Sequence, residues 1–261
     1  AQKQAYSVAG HIHGKASINN GYLGTSVLKL FDSTVATVGM NEKKLDMAGM
    51  KYNFVYIIPS DRVSLMPGVK PIHLKVLFHG VTGRILGAQA IGEGLVEKRI
   101  DVIATAMKFH AVIDDLKDLE LAYAPHYGIP KDPVNIAGYV GGNVLSGELK
   151  QVPVTAVRDL VEANAFIIDV REENEHAQGR LLNAVNIPLT QFRDRLSDIP
   201  KDEDVYLHCR SGQRSYYMIR VLQSLGYDRV YNIAGGFLGI CRYEYFKDVM
   251  EQRKAIVDRY G

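Results

Sequence analysis

The chain has 261 residues, with 31 Lys and Arg against 29 Asp and Glu and a net charge of +2. Charges this evenly mixed give no polyanion signal, and no basic cluster interleaved with aromatics suggests nucleic acid. No apolar run reaches the length of a membrane span and no signal peptide opens the chain. The two cysteines, Cys209 and Cys241, form neither a disulfide framework nor a zinc pattern, so the expectation is a cytoplasmic protein without a metal.

The length suggests one or two domains, and the pattern changes along the chain supply two. Residues 1–14 predict an amphipathic helix with Ala5, Val8, Ala9 and Ile12 on one face. His11 and His13 fall on different faces of it and read as solvated side chains. From residue 25 the pattern turns β-branched and alternating. It predicts strands at 25–31, 33–38, 52–58, 72–79 and 85–91, with a hairpin turn at 80–83 between the last two. Asn41 is placed to cap a short helix ending at Gly49. Helices are predicted over 96–109, with Ile100, Ile103, Ala104 and Met107 inward, and over 132–145, opened by Asp132 and Pro133. The result is an α+β domain, an antiparallel sheet with helices to one side.

GTSVLKLFD at 24–32, GRILGAQAIG at 83–92, LELAYAP at 119–125 and KDPVNIAG at 131–138 carry a resemblance. These segments resemble the dimerisation domain of flavin-dependent pyridine nucleotide–disulfide oxidoreductases, and among them the coenzyme A-disulfide reductases. The resemblance implies a homodimer, and FAD, NADH and coenzyme A as cofactors and substrate of a complete parent enzyme. It also implies that residues 1–14 end a flavin domain. No G-x-G-x-x-G occurs, so no FAD or NADH is expected on this chain itself. In the relatives a tyrosine of the Tyr-Ala-Pro segment reaches the partner subunit's reductase site, which makes Tyr123 a candidate; the alternative is a Tyr packed at a helix–sheet boundary. LMPG at 65–68 departs from the tyrosine-rich version in the relatives, and His126 is assigned no role.

Residues 147–153 read as a polar linker closed by Pro153. A helix is predicted over 155–163. Strands near Phe166, Val185, Val205 and Val230 then alternate with helical patterns, which implies a doubly wound parallel sheet. The most informative stretch is VYLHCRSGQRS at 205–215. An apolar run ends in Cys209, and a loop of Arg210, Ser211, Gly212, Gln213, Arg214 and Ser215 follows. A helix with Met218, Val221, Leu222 and Leu225 at helical spacing comes next, closed by Gly226. Loop N–H groups, the helix N-terminus and two arginines favour negative charge at the sulfur, so Cys209 is expected to be a thiolate nucleophile. The alternative is a buried cysteine that merely ends a strand. Asp169 and Arg171 end their own strand on the same side of the sheet. They either order the loops and add positive field, or form only a loop-ordering salt bridge. His208 points to the opposite face from Cys209 and is not the base. Cys241 reads as core bulk.

The Cys209 loop resembles the active-site loop of the rhodanese family. FIIDVR at 166–171, NAVNIP at 183–188 and YNIAGG at 231–236 match further pieces of that family's pattern in order. Gly179-Arg180-Leu181 departs from its usual Gly-His-Ile. The implied layout is 1–146 for the end of a flavin domain plus the dimerisation domain, 147–153 for the linker, and 154–261 for a rhodanese-like domain. The implied activity is sulfur transfer from a sulfane-sulfur donor to a thiol acceptor. A cysteine phosphatase or arsenate reductase is the competing enzyme class. Its loop has one residue more between Cys and Arg than the four separating Cys209 from Arg214, and the tighter ring suits a sulfur better than a tetrahedral anion. A non-catalytic interaction module is the third reading.

Overall fold

The computed structural model describes residues 2–15 and 21–260; the expected helix start at Ala1 and the final Gly261 lie outside them. The first half runs α1 (Gln2–Ile12), β1 (Ser26–Leu30), β2 (Ser33–Gly39), α2 (Glu42–Met47), β3 (Tyr52–Ile57), β4 (Ile72–His79), β5 (Ile85–Gly92), α3 (Val96–Lys108) and α4 (Pro133–Leu145). The strands form one antiparallel sheet in the order β1-β2-β5-β4-β3. Period-two alternation sets its inner face: Ile72, Leu74, Val76 and Phe78 of β4 are all buried. Ile100 and Ile103 of α3 and Val134 and Ala137 of α4 close over that face. Arg99 of α3, 0 % exposed, pairs with Asp132 at 3.0 Å, and Asp132 also caps α4 by accepting from Val134 N–H. α1 buries none of its residues, and β1 is an edge strand with Val27, Leu28 and Leu30 exposed.

The second half runs β6 (Gln151–Val152), α5 (Val157–Glu162), β7 (Phe166–Asp169), α6 (Glu173–Gln178), β8 (Val185–Asn186), β9 (Val205–His208), α7 (Gln213–Ser224), β10 (Val230–Ile233) and α8 (Gly236–Glu251). All pairings are parallel and the order is β6-β10-β9-β7-β8, so β9 is the middle strand. Val205, Leu207 and Cys209 face one core; Tyr206 faces the other, where Phe237, Ile240 and Cys241 of α8 pack. No helix among the described residues is long and apolar enough to cross a membrane.

Three expectations need correction. The segment read as a linker contributes Gln151 and Val152 to the second sheet, because the outer edge of β10 is open: Asn232 N–H donates to Lys150 O and Ala234 N–H to Val152 O. The helix expected over 155–163 starts as a 3-10 turn at 154–156 and becomes α-helical from Val157. The buried face of α7 is Ser215, Ile219 and Leu222, while Leu225 is 45 % exposed. The neighbouring loop and β10 cover the face that begins at Ser215, and this rotates the apolar stripe away from Leu225.

The tail after α8 folds back along residues 179–182. Leu182 N–H donates to Ile256 O, Asp258 N–H donates to Arg180 O, and Leu181 bridges Val257. Arg253 and Arg158 tie the tail to Glu244 and Asp248 of α8.

The two halves share a wall. Val140 and Val144 of α4 pack against both the first core and the core beneath β9. Asn143 Nδ2 donates to Tyr216 OH of α7 at 3.0 Å, and Gln151 Nε2 donates to Phe54 O of β3 at 2.5 Å. On the far face of the first sheet, the Tyr56 hydroxyl meets His73 Nδ1 at 2.8 Å. A cavity of about 490 Å³ opens there, lined by Tyr56, His73, Lys75, Glu93 and, from α8, Arg242. Burial, and after it the Arg242 guanidinium, pushes the His73 imidazole down to about 4; burial pushes the Tyr56 phenol up to about 12. Both are neutral at pH 7. Below the ordinary imidazole value of about 6.5 the unfolded chain takes up a proton that the folded one refuses. Stability is therefore expected to fall as pH drops from about 6.5 towards about 4. Urea midpoints across that window should fall in the wild type and fall less in His73→Gln. Parallel profiles would assign the acid loss to other groups.

Candidate active site

The middle strand β9 delivers Cys209 to the C-terminal edge of the parallel sheet, where such sheets place ligand sites. Cys209 is 1 % exposed. Gly212 caps α7 with φ +102°, and its N–H donates to Cys209 Sγ at 3.1 Å. That turn requires glycine, and it aims the amide at the sulfur. Ser215 Oγ lies 3.7 Å from Sγ and donates to Asn232 Oδ1 at 2.7 Å; Asn232 Nδ2 donates to Gly212 O at 3.3 Å. Asn232, from β10, thus clamps the loop at Gly212 and Ser215, where it enters α7. It is one polar residue on a buried strand, and that anomaly inside YNIAGG was the available signal.

The two loop arginines differ. Arg210 is exposed, and its carbonyl accepts from Leu238 N–H at 3.0 Å. Arg214 makes a two-pronged ion pair with Glu175 of α6, at 2.6 and 2.7 Å. This hydrogen bonding holds the Glu175 carboxyl below the ordinary carboxylate range and raises Arg214 further. Arg214 also feels the Cys209 sulfur. Glu175 escaped the sequence reading, because its partner lies 39 residues away. Its only local mark is the box it forms with Glu172 at the start of α6. Gln213 is exposed and donates to Tyr217 OH, and Ser211 is half-buried.

Asp169 and Arg171 lie together at the end of β7. Asp169 accepts from Arg171 N, Nε and Nη2, the last at 2.7 Å, and meets His176 Nδ1 at 3.0 Å. Burial works against the carboxylate, but His208, Arg171 and His176 around it hold its pKa well below the usual range. Arg171 also donates to Gly179 O at 2.7 Å and Glu175 O at 3.4 Å, and its guanidinium stacks over Phe237 at 3.9 Å. It anchors α6, which carries Glu175, at Glu175 O and Gly179 O. His208 is fully buried on the face away from Cys209, stacked on Phe237, and burial pushes its imidazole down. Cys241 packs in the core on that same far face.

Tyr123 stands apart from this group. It is 48 % exposed in the irregular segment 119–125 of the first domain. No group of three His, Cys, Asp or Glu side chains among the described residues is placed to hold a metal ion.

Residues 25–131 match the pyridine nucleotide-disulphide oxidoreductase dimerisation domain, and residues 154–242 match the rhodanese-like domain. The chain is 38 % identical over 140 residues to a coenzyme A disulfide reductase of Staphylococcus epidermidis, covering 53 % of this chain and 32 % of the relative. It therefore spans about a third of the length of the curated relatives it matches. Among solved structures, reduced CoADR-RHD of Bacillus anthracis superposes with a TM-score of 0.86 at 41 % identity, over 94 % of this chain and 43 % of that one. A NAD-dependent persulfide reductase from A. fulgidus superposes with a TM-score of 0.80 at 34 % identity, over 90 % and 42 %. The chain thus has the make-up of the coenzyme A disulfide reductase–rhodanese fusions, a pyridine nucleotide-disulphide oxidoreductase dimerisation domain followed by a rhodanese-like domain.

Proposed function

We propose that the rhodanese-like domain is a sulfurtransferase and that Cys209 carries the sulfur. The observation that supports this most is the sulfur itself: buried at the end of the middle strand, with the Gly212 N–H on it and Arg214 fixed beside it by Glu175. The Cys209 thiolate attacks the outer sulfur of a persulfide, polysulfide or thiosulfate. A new S–S bond forms on Cys209, the donor's S–S bond breaks, and the donor leaves as thiolate or sulfite with the electron pair. An acceptor thiolate then attacks the outer sulfur of the Cys209 persulfide, takes it, and restores the Cys209 thiolate. No external oxidant or reductant enters. Gly212 N–H and the loop cations hold the anionic sulfur in both states.

The parent activity is part of the same proposal. By likeness to the coenzyme A disulfide reductases and the NAD-dependent persulfide reductase, the full-length protein is a homodimeric FAD- and NADH-dependent reductase of coenzyme A disulfides, persulfides or polysulfides. Tyr123 is then the contact to the partner subunit's reductase site. The sequence holds no G-x-G-x-x-G fingerprint, so no residue here is assigned to FAD or NADH and no step runs through them.

Exposure to a sulfane-sulfur donor should add one sulfur to the intact mass, and a reductant should remove it. Cys209→Ser should abolish both the adduct and turnover, because a neutral alcohol neither attacks nor carries the sulfur. Cys241→Ser should keep most activity. Hydrolysis of an aryl phosphate without uptake of sulfur would favour the phosphatase reading instead, and neither reaction would leave a binding module.

The matched dimerisation domain supports a homodimer formed mainly through residues 25–145. Sedimentation at micromolar concentration should give twice the chain mass of 29.0 kDa. A monomer there would remove the dimer and leave the sulfurtransferase reading standing.

A further inference from the structure

The wall behind the Cys209 loop has a component from the other domain. Gly235 and Gly236, with φ of +84° and +55°, turn β10 into α8. One side of this turn bears on the loop. Phe237 N–H donates to Cys209 O at 2.8 Å and Leu238 N–H to Arg210 O at 3.0 Å. The approach is close enough that a Cβ on Gly236 would lie 2.5 Å from Cys209 O. The other side of the turn bears on Tyr56 of β3. Its ring fills the space a Cβ on Gly235 would need, and a Cβ on Gly239 would meet Tyr56 Cε1 at 3.1 Å.

A turn of two left-handed glycines has no side chains to anchor it and the greatest backbone freedom of any residue pair. Its order has to come from its neighbours. Tyr56 is a stiff one: its ring is flanked by glycine backbone, and its hydroxyl is fixed on His73 Nδ1 at 2.8 Å. His73 sits on β4, an interior strand of the first domain's sheet between β5 and β3.

We propose that Tyr56 is a positioning residue for Cys209, acting across the domain junction. Its ring holds the Gly235–Gly236 turn, and the turn holds the carbonyls of Cys209 and Arg210. The kinetic consequence rests on the sulfurtransferase reading above; the structural consequence does not. The domains themselves stay joined without the ring, through α4, Asn143 to Tyr216, and Gln151 to Phe54.

The test compares Tyr56→Ala and Tyr56→Phe in the whole chain, by amide hydrogen exchange and by sulfur transfer from thiosulfate to cyanide. In Tyr56→Ala, exchange of the amides at 209–212 should rise about tenfold while those of β7 stay unchanged. Turnover should fall about tenfold in kcat, with KM for thiosulfate within about twofold, since loop geometry and not donor binding is lost. Tyr56→Phe keeps the ring and should restore both. Unchanged exchange at 209–212 in Tyr56→Ala overturns the proposal. So does equal loosening of β7, which would mean a general loss of stability, and so does Tyr56→Phe behaving like Tyr56→Ala. A wild type that moves no sulfur would refute the sulfurtransferase reading, and the exchange arm would still decide the role of Tyr56.

Discussion

The buried pair of Asp169 and Arg171 is the constraint on which the second domain's site depends. Two full charges sit at the end of β7 with almost no exposure. Such a pair is a poor source of net stability, because desolvation offsets much of its attraction, but losing one partner costs about 3–5 kcal/mol. What it supplies here is direction. Arg171 also donates to the backbone carbonyls of Glu175 and Gly179, so the guanidinium fixes where α6 ends. That segment carries Glu175, Glu175 fixes Arg214, and Arg214 belongs to the loop that follows Cys209 and feels its sulfur. A charge pair that never touches the sulfur thus orders the segment whose carboxylate holds a cation of the Cys209 loop.

The same logic extends across the chain's two halves. Their cores are not separated by a flexible tether. α4 belongs to both, and the residues that follow it enter the second sheet after only a short excursion. The relative placement of the halves follows from packing, and the likeness to CoADR-RHD of Bacillus anthracis extends over 94 % of the chain as one superposition. A rigid junction lets side chains of one domain shape the other's loops, as Tyr56 does at the glycine turn.

What could be read from the sequence divides along a physical line. The strands of the first sheet and the Cys209 loop are local patterns: alternation, a cysteine at the end of an apolar run, a glycine where φ must be positive. Ile72, Leu74 and Val76 announce a buried face without knowledge of what covers it. Asn41 and Asp132 announce helix starts because the cap and its acceptor are neighbours. Glu175 and Tyr56 could not be found that way, and Asn232 left only the trace of a polar residue on an apolar strand. Each acts on a residue far away in sequence, and the one local mark of Glu175, its box with Glu172, points to a helix start and not to Arg214. The two-residue strand at Gln151 and Val152 was hidden for a related reason, since its only cause is the open edge of β10. Misjudging the exposed side of α7 followed from spacing alone, which fixes the width of an apolar stripe but not which neighbour covers it.

The folded-back tail carries a consequence for biosynthesis. Residues 256–258 complete the backbone pairing of 180–182, and that segment adjoins Gly179, whose carbonyl receives Arg171. The first strand of the same sheet, at Gln151 and Val152, pairs with β10, which follows every other strand of that sheet in the chain. A nascent chain on the ribosome can close the antiparallel first sheet early, through neighbouring hairpins. The parallel second sheet has to wait for its distant partners, the slow and exposed kind of pairing. Cys209 therefore lacks Asn232, which holds Gly212 and Ser215 near it, and Phe237 N–H, which donates to its carbonyl, until β10 and the start of α8 have been made. During that interval it is an open thiol on an unfinished sheet, and the finished first domain, already in place against α4, is the surface on which the remainder condenses.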